Sequence, residues 1–388
     1  MSTHWRLPRG VDEILPPLAW DLEVLRRRTL DVFVSRGYDY IEPPVIEYLD
    51  ALLVGSGEDL DLQTLKVIDQ SSGRQLGVRA DMTSQAVRID SHSRVTDSVQ
   101  RLCYAGTVVY ASAQSGQNSR VPLKAGAEIF GAQSLSADAE VVSLMLDVVS
   151  AADIAAPVLL LGHMGIYRGL VAQLVAAKAL DEAQLPELFA RVQRKGESDI
   201  RDLVGDSDAG RMMAVLPSLM GDIAVLERAR SVLQGASGRV LGAIEELAAL
   251  AGMIQRDYPD LDLRIDVSEL SGYGYHNGAV FAVYHPQHGQ ALAQGGRYDG
   301  VGEVFGRARP ATGFDTNLKQ LLAAQPQGPS VYFAPFVDAD ERGALMEFVR
   351  KARTSGHRIA VALDRHEQAP ERCAGTLEQR DGQWCLPQ

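Results

Sequence analysis

Strand-forming segments flank a long helical block, and that arrangement restricts the fold more than any other feature of the chain. Residues 165–255 are rich in Ala and Leu and read as mainly helical, for example SGRVLGAIEELAALAGMIQ. Before the block come RLCYAG, AGAEIFG and the apolar run VLLLG; after it come LRIDVSEL, NGAVFAVYH and GQALAQGG. Short strands need neighbours to be stable. The block is therefore expected to be an insert in one antiparallel sheet domain, and the fold class to be α+β.

Local signals place the remaining elements. Leu18, Leu22, Leu25, Val32 and Phe33 recur at helical spacing, and Gly37 stops the helix. GYDYIEPPVIEY follows and is extended, because Pro43 and Pro44 disfavour helix. LKVIDQSSGRQLGVR predicts a hairpin turning at Ser71 to Gly73, and Asp81 to Ser91 a short helix. Asp138 is expected to cap the helix in DAEVVSLMLDVVSAAD. A further helix is expected near Phe314 to Ala324, with QPQGPS as a linker. The tail, 330–388, reads strand, helix, strand and hairpin, a small α/β unit. The expected domains are thus 1–325, with the insert at about 165–255, and 330–388.

GTVVYASAQSGQNSR, from Gly106 to Arg120, has β-forming Val108, Val109 and Tyr110, then a small polar loop. Loops of this kind on a sheet often hold a nucleotide. From Thr107 to Ser119, however, no Arg, Lys or His stands ready to meet a phosphate. It has the frame of a substrate site with its charge removed.

Composition narrows the function classes. The 388 residues carry a net charge of −12, which disfavours tight binding to a phosphate backbone. No signal peptide and no apolar run long enough to span a bilayer are present, so the expectation is a cytoplasmic protein away from membranes. The three cysteines show no metal-ligand spacing with histidine, and His285-Pro-Gln-His288 reads as a turn. No metal and no cofactor are expected. An Asp381-Gly382 turn would set Cys385 opposite Glu378, a register without a disulfide to Cys373. Gly300-Val301-Gly302 lacks the spacing of a dinucleotide fingerprint, and Arg26-Arg27-Arg28 is read as a solvated helix face. Tyr273, Tyr275 and His276 suit sheet packing or a pocket wall, and Arg297 suits either a structural or a ligand-facing role.

In order along the chain, six segments resemble the class II aminoacyl-tRNA synthetases, specifically the histidyl-tRNA synthetase pattern. LPRGVDEILP is similar to the family's N-terminal segment. GYDYIEPPVIEY resembles motif 1, the family's dimer interface, and VRADMT a segment that contacts the amino acid. RLCYAGTVVYASAQSGQNSRVPLKAGAEIFG resembles motif 2. SGYGYHNGAVF resembles the histidine-pocket segment, and GGRYDGVGEVFGRARPATGF leads into motif 3.

The departures carry the functional expectation. The motif 2 Arg that holds phosphate and carboxylate is replaced by Tyr110, with Ser112 where an acidic partner would sit. The family's catalytic Arg is replaced by Ser271, and the motif 3 Arg by Gln320. Amino-acid activation builds negative charge on phosphorus and needs preorganised cations; losing one such group typically costs on the order of 10²–10³ in rate. The resemblance nevertheless implies a surviving histidine site. Asp81 and Thr83 stand at the VRADMT positions, with Asp for the family's Glu, and Glu128 at the second acidic contact. Tyr275 and His276 stand at the aromatic pair, with His for Tyr. Lys124 replaces a Gln at the carboxylate end. The tail is shorter than the family's anticodon-binding domain, so no tRNA recognition is expected.

Such a body resembles the regulatory subunits of ATP phosphoribosyltransferase. That resemblance implies a non-catalytic chain that dimerises and joins the short-form catalytic subunit in a hetero-octamer. It also implies a part in the first step of histidine biosynthesis, with histidine as feedback effector. Two other readings stand beside it: a divergent histidyl-tRNA synthetase using other cations, and a stand-alone histidine-binding protein. ATP–pyrophosphate exchange separates the first, and co-purification from the source cell the second.

Overall fold

The structure is a computed structural model that describes residues 6–53, 58–113, 119–272, 274–322 and 328–387. Two compact units are formed, Met1–Glu13 with Val24–Ala323, and Ile14–Glu23 with Ala324–Gln388. Among the described residues the first unit holds a nine-stranded sheet. Its spatial order is Asp39–Tyr40, Gln100–Thr107, Leu123–Phe130, Ala311–Asn317, Ala293–Arg297, Ala279–Tyr284, Val158–His163, Asp262–Asp266 and Met220–Gly221. Neighbours are antiparallel except at Asp39–Tyr40 beside Gln100–Thr107 and Val158–His163 beside Asp262–Asp266. The helical block therefore does interrupt one sheet, between Val158–His163 and its parallel neighbour.

The central strand Ala279–Tyr284 is apolar on both faces. Ala279–Tyr284 buries five consecutive residues, Ala279 to Val283. Helix Leu135–Ala151 packs on strands of the sheet, and helix Gly238–Asp257 packs on Leu135–Ala151, Met164–Ala176 and the Val158–His163 strand. These helices present Val141, Leu144, Met145 and Val148, and Val240, Ile244, Leu247 and Leu250, all with no exposure. The spacing is that of a buried helical stripe.

Several local expectations need correction. Helix Leu135–Ala151 begins at Ser134, so Asp138 is not its cap. Asp138 lies in the first turn and is fully buried, where its carboxylate accepts from Arg297 Nη2 at 2.9 Å and Nε at 3.1 Å. Arg297 also donates to the carbonyls of Ala132 and Ser134, which makes its role structural. Phe314 belongs to a strand rather than a helix; only Leu318–Leu321 is helical there, because the pairing with Leu123–Phe130 runs through Asn317. The strand expected to reach Tyr110 ends at Thr107, and Tyr110 makes a single bridge to Thr64. The helix expected from Asp81 begins at Thr83 and continues after Arg88 as a π-helical turn, Ile89–Ser93.

Other local readings match. Helix Leu18–Ser35 ends before Gly37, whose φ is 79°. The hairpin pairs Leu65–Ile68 with Gln75–Val78, and Ile46–Tyr48 flanks the latter. In the second unit Val331–Ala334 lies between Ile359–Val361 and Cys373–Thr376, all parallel, with helix Ala339–Thr354 alongside. Cys385 pairs opposite Glu378 across the Asp381-Gly382 turn, and the three cysteines are free. Strand Cys373–Thr376 is an addition to the expected strand, helix, strand and hairpin. The QPQ of the expected linker, Tyr273 and the loop core 114–118 lie outside the described residues. Among the described residues no helix is long and apolar enough to cross a membrane.

The Arg297–Asp138 pair ties helix to sheet inside the core, and removing one partner strands a buried charge. Asp138→Ala is expected to destabilise the protein by about 3–5 kcal/mol, read as a lower urea midpoint. A loss below about 1 kcal/mol would mean that the guanidinium finds other partners.

Candidate functional site

Strand register builds the floor of a cleft. Glu128 pairs opposite Leu102 on one side and Gly313 on the other, while Tyr104 lies opposite Gly126. Tyr104 and Glu128 project from neighbouring strands, and Tyr298 follows the next strand but one. The glycines make room for them. A Cβ on Gly313 would lie 1.5 Å from Glu128 Oε2, and one on Gly126 2.5 Å from the Tyr104 hydroxyl. Glycine inside a strand is unfavourable unless something must approach closely, and here the approaching group is a carboxyl or a phenol.

Glu128 is almost wholly buried. Tyr104 donates to its Oε1 at 2.9 Å and Tyr298 to its Oε2 at 2.6 Å. Burial outweighs both bonds and pushes the carboxyl up to about 8. Thr83 Oγ1 lies 3.1 Å from the Tyr104 hydroxyl. Asp81 precedes the Thr83–Arg88 helix, and its Oδ2 accepts from the Thr83 amide at 3.1 Å, which fixes the carboxylate. Enclosure by protein, and then Asp315, raise the Asp81 carboxyl.

Tyr275 stacks on Tyr298 with ring centroids 4.7 Å apart and meets His276 edge-on at 5.5 Å. The Tyr275 hydroxyl is buried, and its approach to Tyr298 falls short of hydrogen-bond geometry, so a donor is left for a ligand. Burial holds the His276 imidazole down at about 4, so it is neutral at pH 7. These groups line a cavity of about 190 Å³ together with Gln294, Gly295, Gly313, Phe314 and Asp315. The chemistry is that of a cation site backed by aromatic rings.

Of the residues singled out from the sequence, Asp81, Thr83, Glu128, Tyr275 and His276 thus meet in one cleft. Lys124 is not among the lining residues; it is ion-paired with Asp315, which does line the cleft, and that pairing keeps the ammonium charged despite burial. Tyr110 is buried and interacts electrostatically with Lys124, Asp315 and Asp81. Ser271 is exposed; its hydroxyl and amide donate to Glu269 at 2.6 and 2.7 Å, and its carbonyl lies 3.3 Å from His276 Nδ1. Ser112 is exposed on the motif 2 loop. Gln320 lines a different cavity of about 560 Å³ with Asp12, Ser119, Asn317 and Lys319, and it donates to Gln290 at 3.3 Å. Tyr104, Tyr298 and Asp315 were missed from the sequence. Tyr298, inside GGRYDG, had a usable signal, whereas Asp315 needed the strand pairing. No group of His, Cys, Asp and Glu among the described residues is arranged to hold a metal.

A sheet of this topology, with an acidic and aromatic cleft at its centre, defines a class II synthetase-like body. The histidyl-tRNA synthetase family model matches residues 10–321. A structure from Bacillus halodurans, described as an ATP phosphoribosyltransferase regulatory subunit/histidyl-tRNA synthetase, superposes with a TM-score of 0.84 at 24% identity, covering 97% of this chain and 98% of that one. Histidyl-tRNA synthetase from a Nostoc species superposes at 0.78 with 16% identity, covering 94% and 88%. At these identities the likeness concerns the fold. In sequence, the ATP phosphoribosyltransferase regulatory subunit of Thioalkalivibrio sulfidiphilus is 48% identical over 93% of this chain and 92% of its own length. Those of Chromohalobacter salexigens and Pseudomonas fluorescens are 43% and 45% identical, each over 97% or more of both chains. The chain belongs to the family of ATP phosphoribosyltransferase regulatory subunits.

The buried Glu128 carboxyl has a defined pH signature. Its folded pKa, about 8, lies above the ordinary carboxyl value of 4.5. Below the ordinary value both states are protonated and the group contributes its full stability. That contribution is lost as pH rises through the folded value, because the unfolded chain ionises first. Glu128→Gln cannot ionise. The stability of the wild-type chain relative to this variant is expected to fall steadily between about pH 5 and 8, as measured by urea unfolding without ligand. A constant difference over that range would show that Glu128 ionises normally.

Proposed function

We propose that the chain is the non-catalytic regulatory subunit of an ATP phosphoribosyltransferase and that its cleft binds histidine as the feedback effector. One observation carries this reading. The polar groups suited to an amino acid's nitrogens, Asp81, Glu128 and Tyr275, share a cleft, while Tyr110, Ser271 and Gln320 stand where the synthetase resemblance requires arginines. A site that binds without reacting suits sensing. The partner is the short-form catalytic subunit, in a cytoplasmic hetero-octamer, with no part for tRNA. The domain division at about 325–330 belongs to the same proposal.

Self-association through motif 1 completes the assembly. Ile46–Tyr48 is an edge strand of its three-stranded sheet, and Val45, Ile46 and Tyr48 are all more than 40% exposed. An apolar open edge invites a second copy. Light scattering of the pure chain at micromolar concentration is expected to give a dimer mass, and a monomer mass would contradict the arrangement.

The functional test has two arms. Pure chain is expected to give no histidine-dependent ATP–pyrophosphate exchange above a mock preparation. Added to the short-form catalytic subunit, it is expected to raise phosphoribosyl transfer. Exchange activity would return the chain to the synthetases, and an unchanged transfer rate would remove the regulatory role.

A further inference from the structure

A histidine has three charged or basic groups, and the cleft offers partners for two of them. Its wall carries three carboxyl groups, Asp81, Glu128 and Asp315, with the hydroxyls of Thr83, Tyr275 and Tyr298 and the amide of Gln294. Neither Arg nor Lys lines it among the described residues. Residues 114–118 and 273, which are not described, include none by sequence.

The cations nearby are committed elsewhere. Lys124 gives its charge to Asp315. Arg79 donates to the carbonyls of Pro43 at 2.6 Å and Thr107 at 2.8 Å. Arg168 donates to the His276 carbonyl at 2.9 Å, and Arg120 to that of Tyr110 at 2.9 Å. A ligand carboxylate would therefore meet Asp81, a protonated Glu128 and an Asp315 already paired with Lys124, in a partly desolvated cleft whose lining supplies no cationic partner, which is unfavourable.

The nitrogens fare differently. An ammonium finds carboxylates, and a neutral ring finds a hydrogen-bond acceptor in His276. The Ser271 carbonyl near His276 Nδ1 can only accept, so Nδ1 carries the proton and Nε2 keeps a lone pair.

We propose that the cleft recognises its ligand through the ammonium and the imidazole alone, with the carboxylate left outside the recognised set. The ligand class is then imidazole-bearing primary amines, of which histidine is one. This rests on the histidine reading above and departs from a synthetase site, where the carboxylate must be held for reaction.

Calorimetric titration of the full-length chain with three probes tests it. L-histidinol keeps the ring and the ammonium and lacks the carboxylate. Imidazolelactate keeps the ring and the carboxylate and lacks the ammonium. Histidinol is expected to bind within about fivefold of L-histidine or more tightly, and imidazolelactate to lose at least about thirtyfold, the usual scale for removing a charged hydrogen-bond partner. Histidine binding with histidinol more than about fivefold weaker, or with imidazolelactate undiminished, overturns the proposal and leaves the histidine reading intact. Histidinol binding without histidine overturns both, because histidine itself belongs to the proposed ligand class. Binding of neither overturns both.

Discussion

A carboxyl group without solvent, held by two phenols, sets the terms for the sheet around it. Glu128 can occupy the middle of its strand only because Gly313 opposite has no side chain, and Tyr104 can reach it only across Gly126. Gly296, paired with Gly313, belongs to the same accommodation; a Cβ there would lie 2.9 Å from the His276 ring. Strands so poor in side chains on one face bury little apolar surface there. The opposite face supplies the packing, through the helices Leu135–Ala151 and Gly238–Asp257 and the Arg297–Asp138 pair. The helical insert and the buried ion pair allow the sheet to carry a polar cavity at its centre.

The cavity has the logic of recognition rather than of reaction. Activating an amino acid requires cations where a phosphorane-like charge develops. The described motif 2 segment offers Tyr110 among apolar neighbours, and Ser271 spends its donors on Glu269. What remains polarised is negative. Asp81, Glu128 and Asp315 favour a cation, and the raised Glu128 carboxyl can become a partner for an ammonium by releasing its proton. A ligand held in this way can shift an equilibrium between conformations of an assembly, provided that it favours one of them.

Much of this was legible in the sequence because it depended on local pattern. The insert, the hairpin at Ser71 to Gly73, the Cys385 register and five cleft residues follow from periodicity, turn chemistry and motif order. The failures share one physical origin. Asp138 looked like a cap because Asp near a helix start usually is one, but its partner, Arg297, lies 159 residues away. Phe314 looked helical because its strand, ATGFDTN, has too little β-branched character to announce itself; strand pairing overrode propensity. Asp315 and the commitment of Lys124 were invisible for the same reason, since 191 residues separate the pair. Long-range pairing decides these points, and one sequence does not display it.

The most direct test of the account is the histidine inhibition curve of the assembled complex, measured as phosphoribosyl transfer with wild-type chain and with Glu128→Ala. The account predicts that both chains support transfer and that the variant shifts half-inhibition upward by about 30-fold or more, since removing the carboxyl costs about 2–3 kcal/mol of ammonium binding. An unchanged inhibition curve with Glu128→Ala would contradict it, because histidine would then act from somewhere other than this cleft.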